Sequence, residues 1–138
     1  MPKITKFEDL KVWRTSRELT RRIYDISDKG RFKRDFGLRD QIRRASVSAM
    51  SNIAEGFESH TTKLFMNYLG RARASAGEVR SQLYVALDRT YLDQTEFDGL
   101  AALASDLSRQ LRGFSDYLDD AQHKYRVRED ILQEYLDE

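Results

Sequence analysis

Basic side chains in the first third of the chain have the clearest capacity for chemistry in this sequence. Residues 1–48 hold 14 Lys and Arg against 7 Asp and Glu, whereas residues 49–138 hold 10 against 16. The formal net charge of +1 is therefore the sum of a basic segment and an acidic one. Guanidinium and ammonium groups neutralise phosphates and hold a nucleic acid without reading its sequence. This distribution favours a phosphate-binding surface within the first 48 residues.

Seven of these basic residues are the candidate ligands for phosphate. Asp35 lies four residues before Arg39, a spacing at which helical side chains form ion pairs. Asp40 lies at the same spacing before Arg44. None of the other candidates has an acid four residues before it, which favours their availability to a ligand, although an ordinary solvated surface remains the alternative. The candidates are Arg17, Arg21, Lys33, Arg34, Arg39, Arg43 and Arg44.

Side chains suited to catalysis or metal binding are scarce. The sequence has no cysteine, and its two histidines are His60 and His123. It contains neither a GxxxxGK[ST] phosphate loop nor an HExxH zinc motif. Neither histidine has an arginine four to seven residues before it, as one class of helical ribonuclease requires. We therefore expect no catalytic residue, no metal and no cofactor, and a protein that is not an enzyme.

The composition predicts that helices carry these residues. Ala, Glu, Lys, Leu and Arg make up 59 of the 138 residues, whereas Val and Ile together number 11. The single proline is Pro2, so no later position forbids a long helix. No segment approaches the roughly 20 apolar residues of a membrane span, and the N-terminus lacks the apolar stretch of a signal peptide. An all-α cytoplasmic protein with no membrane segment is expected.

Apolar residues recur every three or four positions in four segments, which is the spacing of amphipathic helices. The predicted helices cover about 7–28, 36–56, 62–89 and 95–120. Four helices with short connections usually pack as an antiparallel up-down-up-down four-helix bundle, so we expect one domain over 1–120. Residues 121–138 form a charged tail that is either a short amphipathic helix or disordered. The apolar residues of this tail are Val127, Ile131, Leu132, Tyr135 and Leu136.

Capping and turn residues mark the expected helix ends. Gly30 and Gly56 suit the C-terminal ends of the first two helices. Hydroxyl groups in the loop 58–61 can cap the third helix. Two pairs fit capping boxes at the starts of the first and fourth helices, namely Thr5 with Glu8 and Thr95 with Asp98.

Two groups of residues do not fit a simple apolar stripe. Asn52 and Glu55 lie beside the stripe of the second helix, and we expect them to fasten the turn that follows it by hydrogen bonds. Gly70, Ala74 and Gly77 lie off the apolar stripe of the third helix. Small residues on that face would let another helix approach closely.

Three segments together resemble a known bacterial family. They are FEDLKVW at 7–13, FGLRDQIRRA at 36–45 and SNIAEGF at 51–57. In this order they are similar to the four-helix-bundle proteins encoded in intervening sequences of bacterial 23S ribosomal RNA. Arg39, Arg43 and Arg44 match the basic motif of that family's second helix. The residues that match its structural motifs are Trp13, Asn52, Glu55 and Gly56.

The resemblance implies an assembly and a set of partners. It implies a homopentameric ring with a basic surface suited to RNA or DNA. Related proteins are the accessory variability proteins of diversity-generating retroelements, whose partner is a reverse transcriptase. The leading hypothesis is thus a non-enzymatic oligomeric adaptor that binds nucleic acid or a nucleoprotein. The alternative is a protein-binding scaffold that has no affinity for nucleic acid.

Overall fold

A computed structural model describes the backbone of residues 4–137 and the side chains of residues 4–123. Five α-helices and no strand occur in this described part, which confirms the all-α prediction. The helices follow a 3₁₀ turn at Phe7–Asp9 and are α1 (Lys11–Ser27), α2 (Gly30–Arg34), α3 (Phe36–Phe57), α4 (Thr62–Asp88) and α5 (Gln94–Asp137).

The four long helices pack around one apolar core. α3 packs against α4, α4 against α5, and α1 against both α3 and α5, so each long helix has two neighbours. The apolar stripes expected from the sequence supply the centre of this core. Each fully buried Leu or Ile contributes roughly 1.5–3 kcal/mol through removal of its surface from water. Fully buried examples from the four helices are Leu19, Ile42, Leu83 and Leu107.

The segment predicted as one helix over 7–28 is divided. A 3₁₀ turn precedes α1, and no side chain caps either element, so the expected cap at Thr5 does not form. Gly30 has a φ of +54°, a left-handed conformation that glycine adopts readily, and it joins α1 to the short helix α2. Phe32 of α2 is fully buried and stacks on Tyr91 at a ring distance of 5.3 Å. A five-residue helix is too short to show periodicity, so the sequence did not predict it.

The caps of the later helices are partly as expected. The Thr61 hydroxyl accepts a hydrogen bond from the Leu64 amide at 3.1 Å, as predicted for the loop before α4. At the start of α5, however, the capping box consists of Asp93 and Glu96 and replaces the predicted Thr95 pair. The Asp93 carboxylate accepts from the Glu96 amide at 2.8 Å, and the Glu96 carboxylate accepts from the Asp93 amide at 2.9 Å.

The last helix is longer than the sequence predicts. α5 continues past residue 120 and runs to Asp137, through most of the expected tail. The apolar side chains that the sequence identified in this tail, from Val127 to Leu136, lie outside the described side chains. No helix of the described residues is long and apolar enough to cross a membrane.

Candidate nucleic-acid interface

The seven predicted phosphate ligands divide into an exposed group and a half-buried group. Arg39 and Arg43 are half-buried, and each side chain keeps only 21% of its accessible surface. The exposed members are Arg17, Arg21, Lys33, Arg34 and Arg44. Helical spacing sets Arg39 and Arg44 apart as the candidates with an acidic neighbour, whereas the structure half-buries Arg39 and Arg43 against the rest of the protein and leaves Arg44 exposed.

Arg43 joins α3 to the end of α1. Its Nε donates a hydrogen bond of 2.8 Å to the hydroxyl of Ser27, which is fully buried. Its guanidinium carbon lies 4.6 Å from the ring centroid of Tyr24, within the range of a cation–π contact. Its Nη2 lies 3.8 Å from a carboxylate oxygen of Asp28. Arg43 therefore has three protein partners on α1 and its C-terminal cap.

Arg39 holds α2 against the first turn of α3. Its Nη1 donates to the carbonyl of Lys33 at 3.0 Å, and its Nε donates to Asp40 at 3.1 Å. The guanidinium also lies 4.7 Å from the ring centroid of Phe36. The expected pairing with Asp35 is wrong, because the Asp35 carboxylate instead caps α3 by accepting from a backbone amide.

Two of the exposed cations lie beside acidic residues that a spacing of four in the sequence did not identify. Arg21 pairs with Glu18 one turn earlier, and Lys33 lies 3.8 Å from Asp28 across the α1–α2 junction. These side chains remain 68% and 59% exposed. Exposed pairs of this kind contribute about 0–1 kcal/mol, so a phosphate can replace the carboxylate at small cost.

A shallow furrow runs between α1 and α3. Tyr24 and Val47 contribute exposed apolar surface to it, and they are 43% and 39% exposed. Asp40, Arg43 and Arg44 line the same furrow. Tyr24 is not among the residues predicted from the sequence. The signal was present, because Arg17, Arg21 and Tyr24 follow one another at i, i+4 and i+7 and so share one side of α1.

Trp13 and Gly56 make specific packing contacts. Trp13 is half-buried, with its ring 5.2 Å from that of Phe7. Gly56 lies inside α3 and does not end it, since the helix continues to Phe57. A Cβ atom at Gly56 would lie 2.7 Å from the Cβ of Tyr68, so glycine is required by the close approach of α4.

Asn52 and Glu55 differ from the expectation that both fasten the turn after α3. Asn52 donates to the carbonyl oxygen of Ser48 at 2.8 Å and to its hydroxyl at 3.1 Å. The Ser48 hydroxyl also accepts a 3.0 Å hydrogen bond from Ser75 of α4. Glu55 is exposed. Asn52 thus supports a polar contact between the middles of two helices, about two and a half turns before the end of α3.

Residues suited to metal binding are not brought together in the part of the chain with described side chains. No group of three or more His, Asp or Glu side chains there has the geometry to hold an ion. The exposed cations on α1, α2 and α3 are the most distinctive chemical feature, and they suit a polyanionic ligand.

These features define an all-helical protein with exposed cations on α1, α2 and α3 and a shallow furrow between α1 and α3. The chain belongs to the 23S rRNA-intervening sequence protein family, whose model matches residues 8–113. The match ends within α5, so the last part of that helix lies beyond it.

A solved structure shows the same fold. It is a protein of unknown function from the S23 ribosomal protein family of Bacteroides thetaiotaomicron, and it is 21% identical in sequence. The alignment covers 75% of this chain and 97% of the other, with a TM-score of 0.69. None of the curated proteins compared with the chain matches it.

Proposed function

We propose that this protein is a non-enzymatic, oligomeric adaptor that binds nucleic acid, namely structured RNA or RNA/DNA, or a nucleoprotein. The observation that carries the proposal is the exposure of five of the seven candidate cations on one basic segment. Three of them, Arg17, Arg34 and Arg44, form no ion pair with any acid whose side chain is described. Membership of the 23S rRNA-intervening sequence protein family supports an RNA-related role.

The proposed subunit is an antiparallel up-down-up-down bundle. Contacts between α3 and α4 support this direction, because Ser48 meets Ser75 and Phe57 meets Phe65. As the residue number rises in one helix, it falls in the other. Contacts between α4 and α5 behave in the same way, with Phe65 against Phe114 and Tyr84 against Phe97.

The proposed assembly is a homopentameric ring, which would repeat a modest basic surface five times. Multiplying weak phosphate contacts on one assembly raises avidity without any new contact. A reverse transcriptase in complex with RNA is the proposed nucleoprotein partner, by resemblance to the accessory variability proteins. The proposed site of action is the cytoplasm. Static light scattering should give a mass of about 81 kDa, five times the 16.2 kDa of one chain. A single-chain mass at micromolar concentration contradicts the ring.

The test of nucleic-acid binding is its dependence on salt. The logarithm of the affinity for a structured RNA should fall linearly with the logarithm of salt concentration, and R44A should reduce that slope by about 1 for each subunit whose Arg44 contacts a phosphate. R109A is the matched control, because Arg109 is an exposed arginine on α5, 70% accessible, outside the proposed surface. Absence of RNA binding at low ionic strength overturns the proposal. An equal effect of R44A and R109A on binding would show that the cations of the basic segment do not form the binding surface.

The second candidate function is a protein-binding scaffold. The exposed stripe of Gly70, Ala74 and Gly77 on α4 favours it, because a Cβ atom at either glycine would meet nothing within 4 Å. Such a face is flat and open to a neighbouring helix. A stable oligomer that binds no nucleic acid at any salt concentration, and that G77L dissociates, would support the scaffold instead of the adaptor.

A further inference from the structure

We propose that Tyr24, stacked against Arg43, is a platform on which an unpaired base of a single-stranded nucleic acid stacks. This inference rests on the proposed function and narrows its ligand from nucleic acid in general to a strand with an unstacked base. Aromatic rings and arginine planes are the surfaces on which proteins stack such bases, because every base presents a π face.

Tyr24 is an exposed ring that is held in place. It keeps 43% of its surface although Arg43 covers part of it at 4.6 Å. Arg43 is itself fixed by the 2.8 Å hydrogen bond to Ser27 and is only 21% exposed. The ring and the guanidinium therefore form a preorganised pair, so binding a base orders few further side-chain rotations.

The pair separates two shallow hollows, and only one suits a nucleotide. The first is lined, besides the pair, by Asp25, Asp28 and Lys29, and its two carboxylates offset the charges of Lys29 and Arg43, so that no net positive charge remains for a phosphate. The second has Val47 as an apolar wall and the exposed Arg44 as a cation. We place the base in this second hollow.

One carboxylate also lines the second hollow. Asp40 accepts a 3.1 Å hydrogen bond from Arg39, so a neighbouring cation offsets its charge. Arg43 and Arg44 add two positive charges to the same hollow. The balance of charge in the second hollow therefore favours an anionic ligand.

Cations continue from the platform along α1. Arg21 and Arg17 lie three and seven residues before Tyr24, on the same side of the helix. The rise of an α-helix places Arg17 about 10.5 Å along the axis from Tyr24. A strand that follows the furrow can place phosphates at Arg17, Arg21 and Arg44 while one base stacks on Tyr24. A duplex cannot use the platform in this way, because its bases are already stacked inside the helix.

Two labelled probes test the platform, an unstructured ten-nucleotide RNA and a blunt ten-base-pair RNA duplex. Loss of one base–aromatic stack should make Y24A bind the single strand about 5- to 100-fold more weakly, with little change for the duplex. Y24F should bind as the wild type, because it retains the ring. Y117A is the matched control, since Tyr117 on α5 is 68% exposed and lies outside the basic segment.

A second variant and a second readout allow the platform to be tested even if Y24A does not fold. If Y24A fails to fold, Y24L takes its place in the test. Leucine retains apolar contact with Arg43 but lacks a π face, so we expect the same loss of affinity for the single strand. Fluorescence of Trp13, the single tryptophan, gives a second readout of binding on the same side of α1. Single-strand affinity that is unchanged in both variants overturns the platform and leaves the adaptor standing. If the wild type binds neither probe at low salt, the proposed adaptor function itself is overturned. Binding of an acidic peptide in place of the two probes would then assign the furrow to a protein partner.

Discussion

The Tyr91 hydroxyl donates a 2.9 Å hydrogen bond to Oδ2 of Asp35 and so joins the loop after α4 to the start of α3. The other oxygen of Asp35 accepts from the Leu38 amide at 3.1 Å and caps α3. The hydrogen bond from Leu38 and then that from Tyr91 lower the pKa of the Asp35 carboxyl below its ordinary value of 3.8. Burial opposes them with a smaller effect, and the charge of Arg89 adds the smallest lowering.

This relationship predicts a pH-dependent contribution of Asp35 to stability. D35A should lower the free energy of unfolding at pH 7 by about 1 kcal/mol, as is typical for loss of an N-cap. Because the folded pKa is lowered, the contribution is complete above the ordinary pKa and is lost as the pH falls through the folded value. Urea unfolding of both proteins at several pH values should show a constant difference from pH 7 to about pH 5 that shrinks below about pH 4. A difference that does not shrink as the pH falls below about 4 contradicts this account.

Tyr91 should contribute to the same effect. Y91F removes one hydrogen bond to the ionised carboxylate and should raise the pKa of Asp35 toward 3.8, which an NMR titration of its carboxyl carbon measures. An unchanged pKa in Y91F would show that the Leu38 amide and Arg89 account for the lowering without Tyr91.

Gly56 should tolerate no side chain. In G56A the new Cβ would lie 2.7 Å from Tyr68 and 2.8 Å from Phe65, so α3 and α4 must separate, at an expected cost of about 1–3 kcal/mol. G70A and G77A are matched controls on α4, where a Cβ meets nothing within 4 Å. They should stabilise the protein by about 0.5–1 kcal/mol through helix propensity. Equal effects of the three substitutions in urea unfolding would contradict the close-approach explanation.

Arg43 and Arg44 are neighbours in sequence, and their substitutions should differ in kind. R43A removes the bond to Ser27 and the stack on Tyr24, so we expect a loss of about 1–2 kcal/mol in the free energy of unfolding. R44A removes an exposed side chain and should stay within about 0.5 kcal/mol of the wild type. Thermal unfolding followed by circular dichroism measures both. Equal stability of the two variants would show that the α1 contacts of Arg43 contribute nothing.

Thr90 should be a site of stored backbone strain. Its φ of +57° is unfavourable for a β-branched residue, and Arg31 braces it by donating to its hydroxyl and to the Arg89 carbonyl. T90G should stabilise an R31A background by about 1 kcal/mol, because glycine adopts this conformation freely. The gain should be smaller in the wild type, where the bond from Arg31 is lost. Destabilisation by T90G in the R31A background would exclude strain at this position.

Much of the fold followed from the sequence because helical periodicity is a local property. Ile42, Ala49 and Ile53 follow one another at i, i+7 and i+11 within the second predicted helix, which places them on one side of it, and all three are fully buried. Short-range signals were less reliable where several residues compete. Thr95 and Asp93 are both good capping residues two positions apart, and only the path of the chain into α5 selected Asp93.

The sequence did not predict which of the seven basic residues are exposed and which are half-buried. Arg43 and Arg44 are adjacent and chemically identical, and spacing gave Arg44, not Arg43, an acidic neighbour. In the folded protein Arg43 reaches Ser27 and Asp28 on the other side of the α1–α3 contact, while Arg44 remains exposed.

The sequence by itself determined that the protein is helical, that its apolar stripes form the core and that positive charge is concentrated near its N-terminus. Tertiary structure alone decided which cations remain available and that Tyr24 is exposed beside them. The physical reason is that periodicity and net charge depend on neighbours along the chain. The partner of a side chain such as Arg43 depends on which helix packs against its own.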